Sequence, residues 1–139
     1  MARQNKIKVG TVQINNSFAG QNYLPLSLGF LYSYAKEYAS NFNNFEFLNP
    51  IYKRVPIKEA VELYKDADIV AFSVYVWNNN ISMRIAEAIK KVNPNVLILV
   101  GGCHIPERPQ YIEKYMKDNP YVDIASIGEG ERVFSMVLE

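Results

Sequence analysis

The run Ile69–Val74, Ile-Val-Ala-Phe-Ser-Val, is the feature that most narrows what this chain can fold into. It has almost no alternation of apolar and polar residues, the pattern of a strand buried on both faces. Asp68 precedes it. An aromatic and amide-rich stretch, Tyr75-Val76-Trp77-Asn78-Asn79-Asn80, follows and leads into a helical pattern. A strand of this kind belongs at the centre of a parallel sheet, and open α/β folds bind ligands outside the carboxyl ends of such strands.

Parallel strands need crossover connections, and the rest of the chain supplies them. Strands are predicted over Lys6–Ile14, Phe45–Leu48, the central run, Val96–Val100 and Val122–Ile127. Helices are predicted from Pro25 to Ala39 and from Ile57 to Tyr64. A third starts at an Asn80 or Ser82 cap and runs to Val92, a fourth covers Pro109–Lys117, and a last one begins near Glu129. Leu28, Leu31, Tyr32, Ala35 and Tyr38 form the apolar face of the first helix. The segment Asn15–Asn22 reads as a loop of turn formers. Five βα units in strict alternation predict an α/β, Rossmann-like (flavodoxin-like) five-stranded parallel sheet of order 2-1-3-4-5, with helices on both faces. Four loops then meet at one rim: Asn15–Tyr23, Tyr75–Asn80, Gly101–Arg108 and Gly128–Arg132.

Composition restricts the possible functions. With 139 residues the chain suits one domain. A net charge of +1, with Lys and Arg scattered, gives no electrostatic footprint for nucleic acid. No apolar run approaches the ~20 residues needed to span a bilayer. The N-terminal Met-Ala-Arg-Gln-Asn-Lys has no signal-peptide core. One cysteine forbids an intrachain disulfide. Together these predict a cytoplasmic protein with no membrane partner. The sequence ends at Glu139 within an apparent helix, which predicts one domain, residues 1–139, of a longer protein.

The rim residues each allow two readings. Gly101-Gly102 suits either close backbone approach of a ligand or a tight turn with positive φ. The Ser73 hydroxyl suits a ligand or a backbone carbonyl. Tyr75 and Trp77, two apart at a strand end, point the same way and either stack on a flat ligand or cap the core. His104, the sole histidine, is a ligand-facing candidate because it sits on the rim, whereas neighbouring Cys103 is read as inert. Glu129 and Glu131 suit an acid–base pair or, better, a helix N-terminus. Gly128-x-Gly130 departs from the dinucleotide fingerprint, since Val133 holds the third glycine position and the motif follows the fifth strand rather than the first. No P-loop lysine is present in Asn15–Asn22. From the residues alone, the rim is glycine-lined, aromatic-flanked and nearly uncharged, suited to a large neutral or flat ligand.

Several stretches in order resemble the N-terminal cobalamin-binding domain of cobalamin-dependent radical SAM enzymes. They are Leu24-Pro25-Leu26-Ser27-Leu28-Gly29-Phe30-Leu31, Asp68 to Asn78, Val100-Gly101-Gly102-Cys103-His104, Val122-Asp123 and Ile127-Gly128-Glu129-Gly130-Glu131. The resemblance implies that the nucleotide tail of cobalamin inserts beside the sheet, with Ser73 and Gly101-Gly102 lining that slot. It further implies that Val74, Tyr75, Val76, Trp77 and Asn78 lie near the slot and the corrin face, and that His104, Gly128, Glu129 and Gly130 belong to the same rim. The wider cobalamin-binding family carries Asp-x-His-x-x-Gly after the first strand, with the His under cobalt. Here the matching stretch is Asn15-x-Ser17-x-x-Gly20, and the radical SAM branch likewise lacks that His.

What the resemblance implies is cofactor carriage: cobalamin held base-off, without a lower histidine, for a radical SAM domain in the same full-length chain, most often in a methyltransferase. The iron–sulfur ([4Fe-4S]) cluster and S-adenosylmethionine of such an enzyme need a C-x-x-x-C-x-x-C run. The single cysteine here places that chemistry outside these residues and makes this domain non-catalytic alone. Two other readings remain: a cobalamin-free interaction or substrate-presenting domain of a radical SAM protein, and a flavin or nucleotide module with Tyr75 and Trp77 around an isoalloxazine.

Overall fold

Burial on both faces puts the apolar run where the sequence demands it. A computed structural model describes residues 5–139; Met1 to Gln4, the first part of the segment read as lacking a signal core, lie outside the described residues. The strands and helices in chain order are β1 (Ile7–Val12), β2 (Ser17–Phe18), β3 (Gln21–Asn22), α1 (Leu26–Tyr38), β4 (Phe45–Phe47), α2 (Ile57–Tyr64), β5 (Ile69–Ser73), α3 (Asn79–Val92), β6 (Leu97–Gly101), α4 (Pro109–Asp118), β7 (Ile124–Ala125) and α5 (Gly130–Leu138). Five of the strands form one parallel sheet of order β4-β1-β5-β6-β7, which is the predicted 2-1-3-4-5 arrangement. Every residue of β5 is buried.

Side chains alternate across the sheet, so each strand feeds two cores. Val70, Phe72 and Val74 join Ile98 and Val100 in a core covered by α2 and α3, with α4 residues packed on it. Ile69 and Ala71 join Leu99 in a second core covered by α1 and α5 through Ala35, Phe134 and Leu138. Helices therefore lie on both faces, as expected.

Several boundaries differ from the sequence reading. The Asn15–Asn22 segment is not an open loop: β2 and β3 pair antiparallel around Ala19 and Gly20. Both turn residues have positive φ, 48° and 74°, as a two-residue hairpin of primed type requires. The fifth strand shrinks from Val122–Ile127 to two residues, because only Leu99 and Val100 of β6 pair with it. α3 starts at Asn79 with Asn78 as N-cap, so Asn80 and Ser82 sit inside the helix instead of capping it. Tyr32 and Tyr38 are exposed, so the apolar face of α1 is Leu28 and Ala35, with half-buried Leu31 packed against the core that holds Ala35.

Tyr64 ties α2 to the sheet. Its hydroxyl lies 2.6 Å from the Asn49 carbonyl oxygen and 2.9 Å from that of Thr11, and it accepts the Thr11 N–H at 3.2 Å. Its ring fills the space above Gly10, where an added Cβ would lie 2.8 Å from a ring carbon. Gly29, in contrast, has no such neighbour within 4 Å.

Two outcomes follow. In urea melts, Gly10→Ala lowers stability by about 1–3 kcal/mol through overpacking, whereas Gly29→Ala raises it by about 0.5–1 kcal/mol through helix propensity. Burial pushes the Tyr64 hydroxyl from 10.0 to about 12, against smaller opposing effects of its backbone hydrogen bonds. The unfolded chain then loses this proton first, so the Tyr64 contribution is whole below pH 10.0 and is lost as pH rises to about 12. Tyr64→Phe should flatten stability over that window; an unchanged slope would contradict the assignment.

Candidate functional site

At the carboxyl edge of the sheet the strand register lines up three small residues. Ser73 pairs with Gly101 across β5 and β6. The Ser126 N–H donates to the Val100 carbonyl at 2.7 Å, continuing the β6–β7 ladder one residue past Ala125. By alternation Ser73, Gly101 and Ser126 continue the face that carries Ala71, Leu99 and Ile124, the face covered by α1 and α5. Small side chains there leave unfilled space. The result is a cavity of ≈ 170 Å³ between the strand ends and the two helices.

Its walls are mostly apolar, with Leu31, Leu99 and Phe134 prominent; its polar side chains are the hydroxyls of Ser27, Ser73, Tyr75 and Ser126 and the carboxylates of Glu129 and Glu131. Ser126 is only 5% exposed and its Oγ has no hydrogen-bond partner. A buried hydroxyl left unpaired costs free energy, so it is a ready site for a ligand atom or a water. Gly101 adds bare backbone; a Cβ there would meet Ser126 Cβ at 3.5 Å, an ordinary contact. Gly128, at φ 77°, turns the chain into α5, and Gly130 opens that helix against Leu31.

Gly102 has a different task. Its φ is 108°, and an added Cβ would lie 2.6 Å from the Val74 carbonyl oxygen and 2.8 Å from the Val74 nitrogen. It is glycine because two backbones touch. The contact is fastened by Val74 N–H to the Gly101 carbonyl at 2.7 Å and His104 N–H to the Val74 carbonyl at 3.1 Å.

Asn78 is also a builder of the rim. It is fully buried; its Oδ1 accepts the Tyr75 N–H at 2.7 Å, and its Nδ2 donates to the carbonyls of Ile14 at 3.0 Å and Ser73 at 3.1 Å. This clamp folds residues 76–78 into a turn. Tyr75 and Trp77 consequently stack on each other, ring centroids 4.7 Å apart and planes 3° from parallel. Tyr75 Oη lies 2.9 Å from Ser27 Oγ, bridging α1 to the strand end beside the cavity. Trp77 is 48% exposed and Val76 75% exposed, so neither caps the core. They form an apolar shelf on the outer rim.

The structure thus brings Ser73, Tyr75, Gly101, Gly102, Gly128, Glu129 and Gly130 around one cavity. Val74 and Asn78 are buried in the framework behind it, and Val76 and Trp77 stand outside it. His104 is not among its lining residues; its ring lies edge-on to Tyr115 at 6.4 Å. Sequence reasoning overlooked Ser27, Leu31, Ser126 and Phe134. For Ser126 the signal was present in the period-two alternation past the end of the fifth strand. Among the described residues no group of three His, Cys, Asp or Glu side chains is arranged to hold a metal. No described helix is long and apolar enough to cross a membrane.

Comparison with known proteins identifies the family. The B12 binding domain family model matches residues 50–138. A cobalamin-dependent radical SAM methyltransferase, TokK of Streptomyces tokunonensis, is 37% identical over 125 residues, which is 87% of this chain and 18% of the relative. A 2-(S-pantetheinyl)-carbapenam-3-carboxylate methyltransferase of Streptantibioticus cattleyicolor is 34% identical over 124 residues, again 87% and 18%. An uncharacterised methyltransferase of Pyrococcus horikoshii is 25% identical over 117 residues, 83% of this chain and 24% of the relative. The chain spans less than a quarter of the length of these curated relatives. The matched residues take in β5, β6, β7 and α5 but not α1, whose Ser27 and Leu31 complete the cavity, and the chain belongs to the B12-binding domain family.

Proposed function

We propose that this domain carries cobalamin base-off, with its nucleotide tail in the cavity between α1 and α5, as part of a longer radical SAM methyltransferase. The observation that carries the reading is the slot itself: apolar walls, a bare Gly101 backbone and the unpartnered Ser126 hydroxyl. An aromatic base needs flat apolar walls and a few polar contacts at its edge, which is the chemistry present. Ser126 Oγ and Ser73 Oγ would serve the heterocycle edge, and Leu31 and Phe134 its faces.

The exposed Trp77 and Val76 support a corrin resting on the rim, and Tyr75, tied to Ser27, would divide that surface from the slot. The loop where relatives of the wider family hold a cobalt-binding histidine is here the β2–β3 hairpin, with Asn15 and Ser17 at the matching positions. His104, on the β6 loop beside Tyr115, is not in that loop. This favours cobalt without an imidazole below. When bound, cobalamin supplies methyl-group carriage, and the domain's residues position the group and exclude water. The partner is a radical SAM domain of the same chain, which would supply the iron–sulfur cluster and S-adenosylmethionine. The match to relatives several times longer supports that arrangement.

Titration with hydroxocobalamin, followed by absorbance and gel filtration, tests the reading. Co-elution with a base-off spectrum is expected. Gly101→Ala puts a methyl group into the slot without a backbone clash, so affinity should fall at least about tenfold, ~1.4 kcal/mol, at little change in thermal stability. A folded protein that binds no cobalamin, or a Gly101→Ala variant that binds unchanged, would overturn it.

A further inference from the structure

A second cleft lies over the β4–β1 edge of the same rim and shares no lining residue with the first. It is built by an extension of the sheet. Beyond Val12, which bridges to Ile51, the Gln13 N–H donates to the Ile51 carbonyl at 2.9 Å and the Asn15 N–H to the Tyr52 carbonyl at 3.2 Å. Asn15–Asn16 and Lys53–Arg54 therefore leave the sheet side by side. The β2–β3 hairpin adds a third wall through its paired Ser17 and Asn22. These six residues enclose ≈ 510 Å³ open to solvent.

The lining holds two cations, three amides and a hydroxyl, and no acid. Among the described residues no carboxylate lies within ion-pair distance of Lys53 or Arg54, whereas five other lysines have acidic partners. Both cations are anchored. Arg54 Nη2 donates to the Trp77 carbonyl at 3.3 Å, and Lys53 Nζ lies 5.5 Å from the Tyr52 ring centroid. One contact leaves Arg54 most of its five N–H donors, a planar fork suited to bidentate binding of an oxyanion. Asn15 and Asn16 also border a shallow pocket with Tyr23 and Trp77, so the polar cleft runs directly into the aromatic shelf. The first cavity offers the opposite field, with Glu129 and Glu131 at its edge.

We propose that this cleft is an oxyanion site: it binds a carboxylate or phosphate of a small molecule at the border of the aromatic shelf. The anion comes either from the phosphodiester of the cofactor proposed above or from a second ligand such as a substrate. Only that choice of source rests on the cobalamin reading.

The test is an amide NMR titration of the protein, without cobalamin, using inorganic phosphate and separately acetate at constant ionic strength. Saturable shifts at Asn15, Asn16, Asn22 and Trp77 are expected, weakened at least tenfold in the Lys53→Gln, Arg54→Gln double variant, whose exposed positions leave the fold intact. No saturable shift at those residues with either anion, or equal shifts in the double variant, would overturn the proposal. A second arm compares hydroxocobalamin with cobinamide, which lacks the nucleotide and its phosphate. Weakened binding of hydroxocobalamin alone by the double variant assigns the oxyanion to the cofactor; unchanged binding of both assigns it to a second ligand. An anion response in a protein that binds neither corrinoid would leave the cleft standing and remove only the cobalamin reading.

Discussion

The rim of this domain depends on one backbone contact, that of Gly102 against Val74. No side chain fits between them, since a Cβ would lie 2.6 Å from the Val74 carbonyl oxygen. That contact brings the loop after β6 down beside the end of β5, where two backbone hydrogen bonds hold it. On the far side of β5, Asn78 spends its side-chain amide on three backbone groups and anchors β1's exit as well. Buried amides satisfied in this way specify one local geometry, because any alternative strands a donor or acceptor away from water. Between these two anchors the strand ends are held in register, and the position of every group that lines the cavity follows.

Function then grows from what the register leaves unfilled. Core rows of Leu99, Ala71 and Ile124 give way to Gly101, Ser73 and Ser126 one step along the strands. α1 and α5 cannot collapse onto the smaller row, because Leu31, Ala35, Phe134 and Leu138 already hold them against the sheet below. A cavity between rigid walls persists in close-packed interiors only at a cost, and an unpaired Ser126 hydroxyl adds to it. A ligand that fills the space and pairs the hydroxyl recovers both. The apolar shelf of Val76 and Trp77 and the basic cleft of Lys53 and Arg54 extend the same rim outward, so one surface carries apolar, aromatic and cationic groups along the sheet.

Strand order and the two-faced core were legible in the sequence, because periodicity and strict βα alternation report burial directly. Gly101-Gly102 was legible as a pair, but not the division of labour within it: only the structure separates the glycine that faces the cavity from the one pressed on Val74. The substitution Gly102→Val would therefore break the fold before it reported on a ligand. The β2–β3 hairpin was invisible because Ser-Phe-Ala-Gly-Gln-Asn has no alternating pattern, and its pairing rests on two residues per strand and a turn with Ala19 at positive φ. Asn78 was expected near the slot and the corrin face; its full burial was not legible, since it depends on a turn formed by residues 76–78. Tyr75 and Trp77 were expected to share a side, and they do, though through that turn and not through strand alternation. Ser126 was missed: alternation was enough to put it on the α1–α5 face, but that it borders a cavity needs the registers of β5, β6 and β7 together.

The most direct measurement is of intermolecular contacts in the cobalamin complex, by NMR or crystallography. The expected result places the benzimidazole base between α1 and α5, its protons close to the Leu31 methyls and the Phe134 ring, with Ser126 Oγ at its edge. A benzimidazole still bound to cobalt, or lodged against Met83 and Tyr115 on the opposite face of the sheet, would contradict the assignment of the cavity as the tail slot.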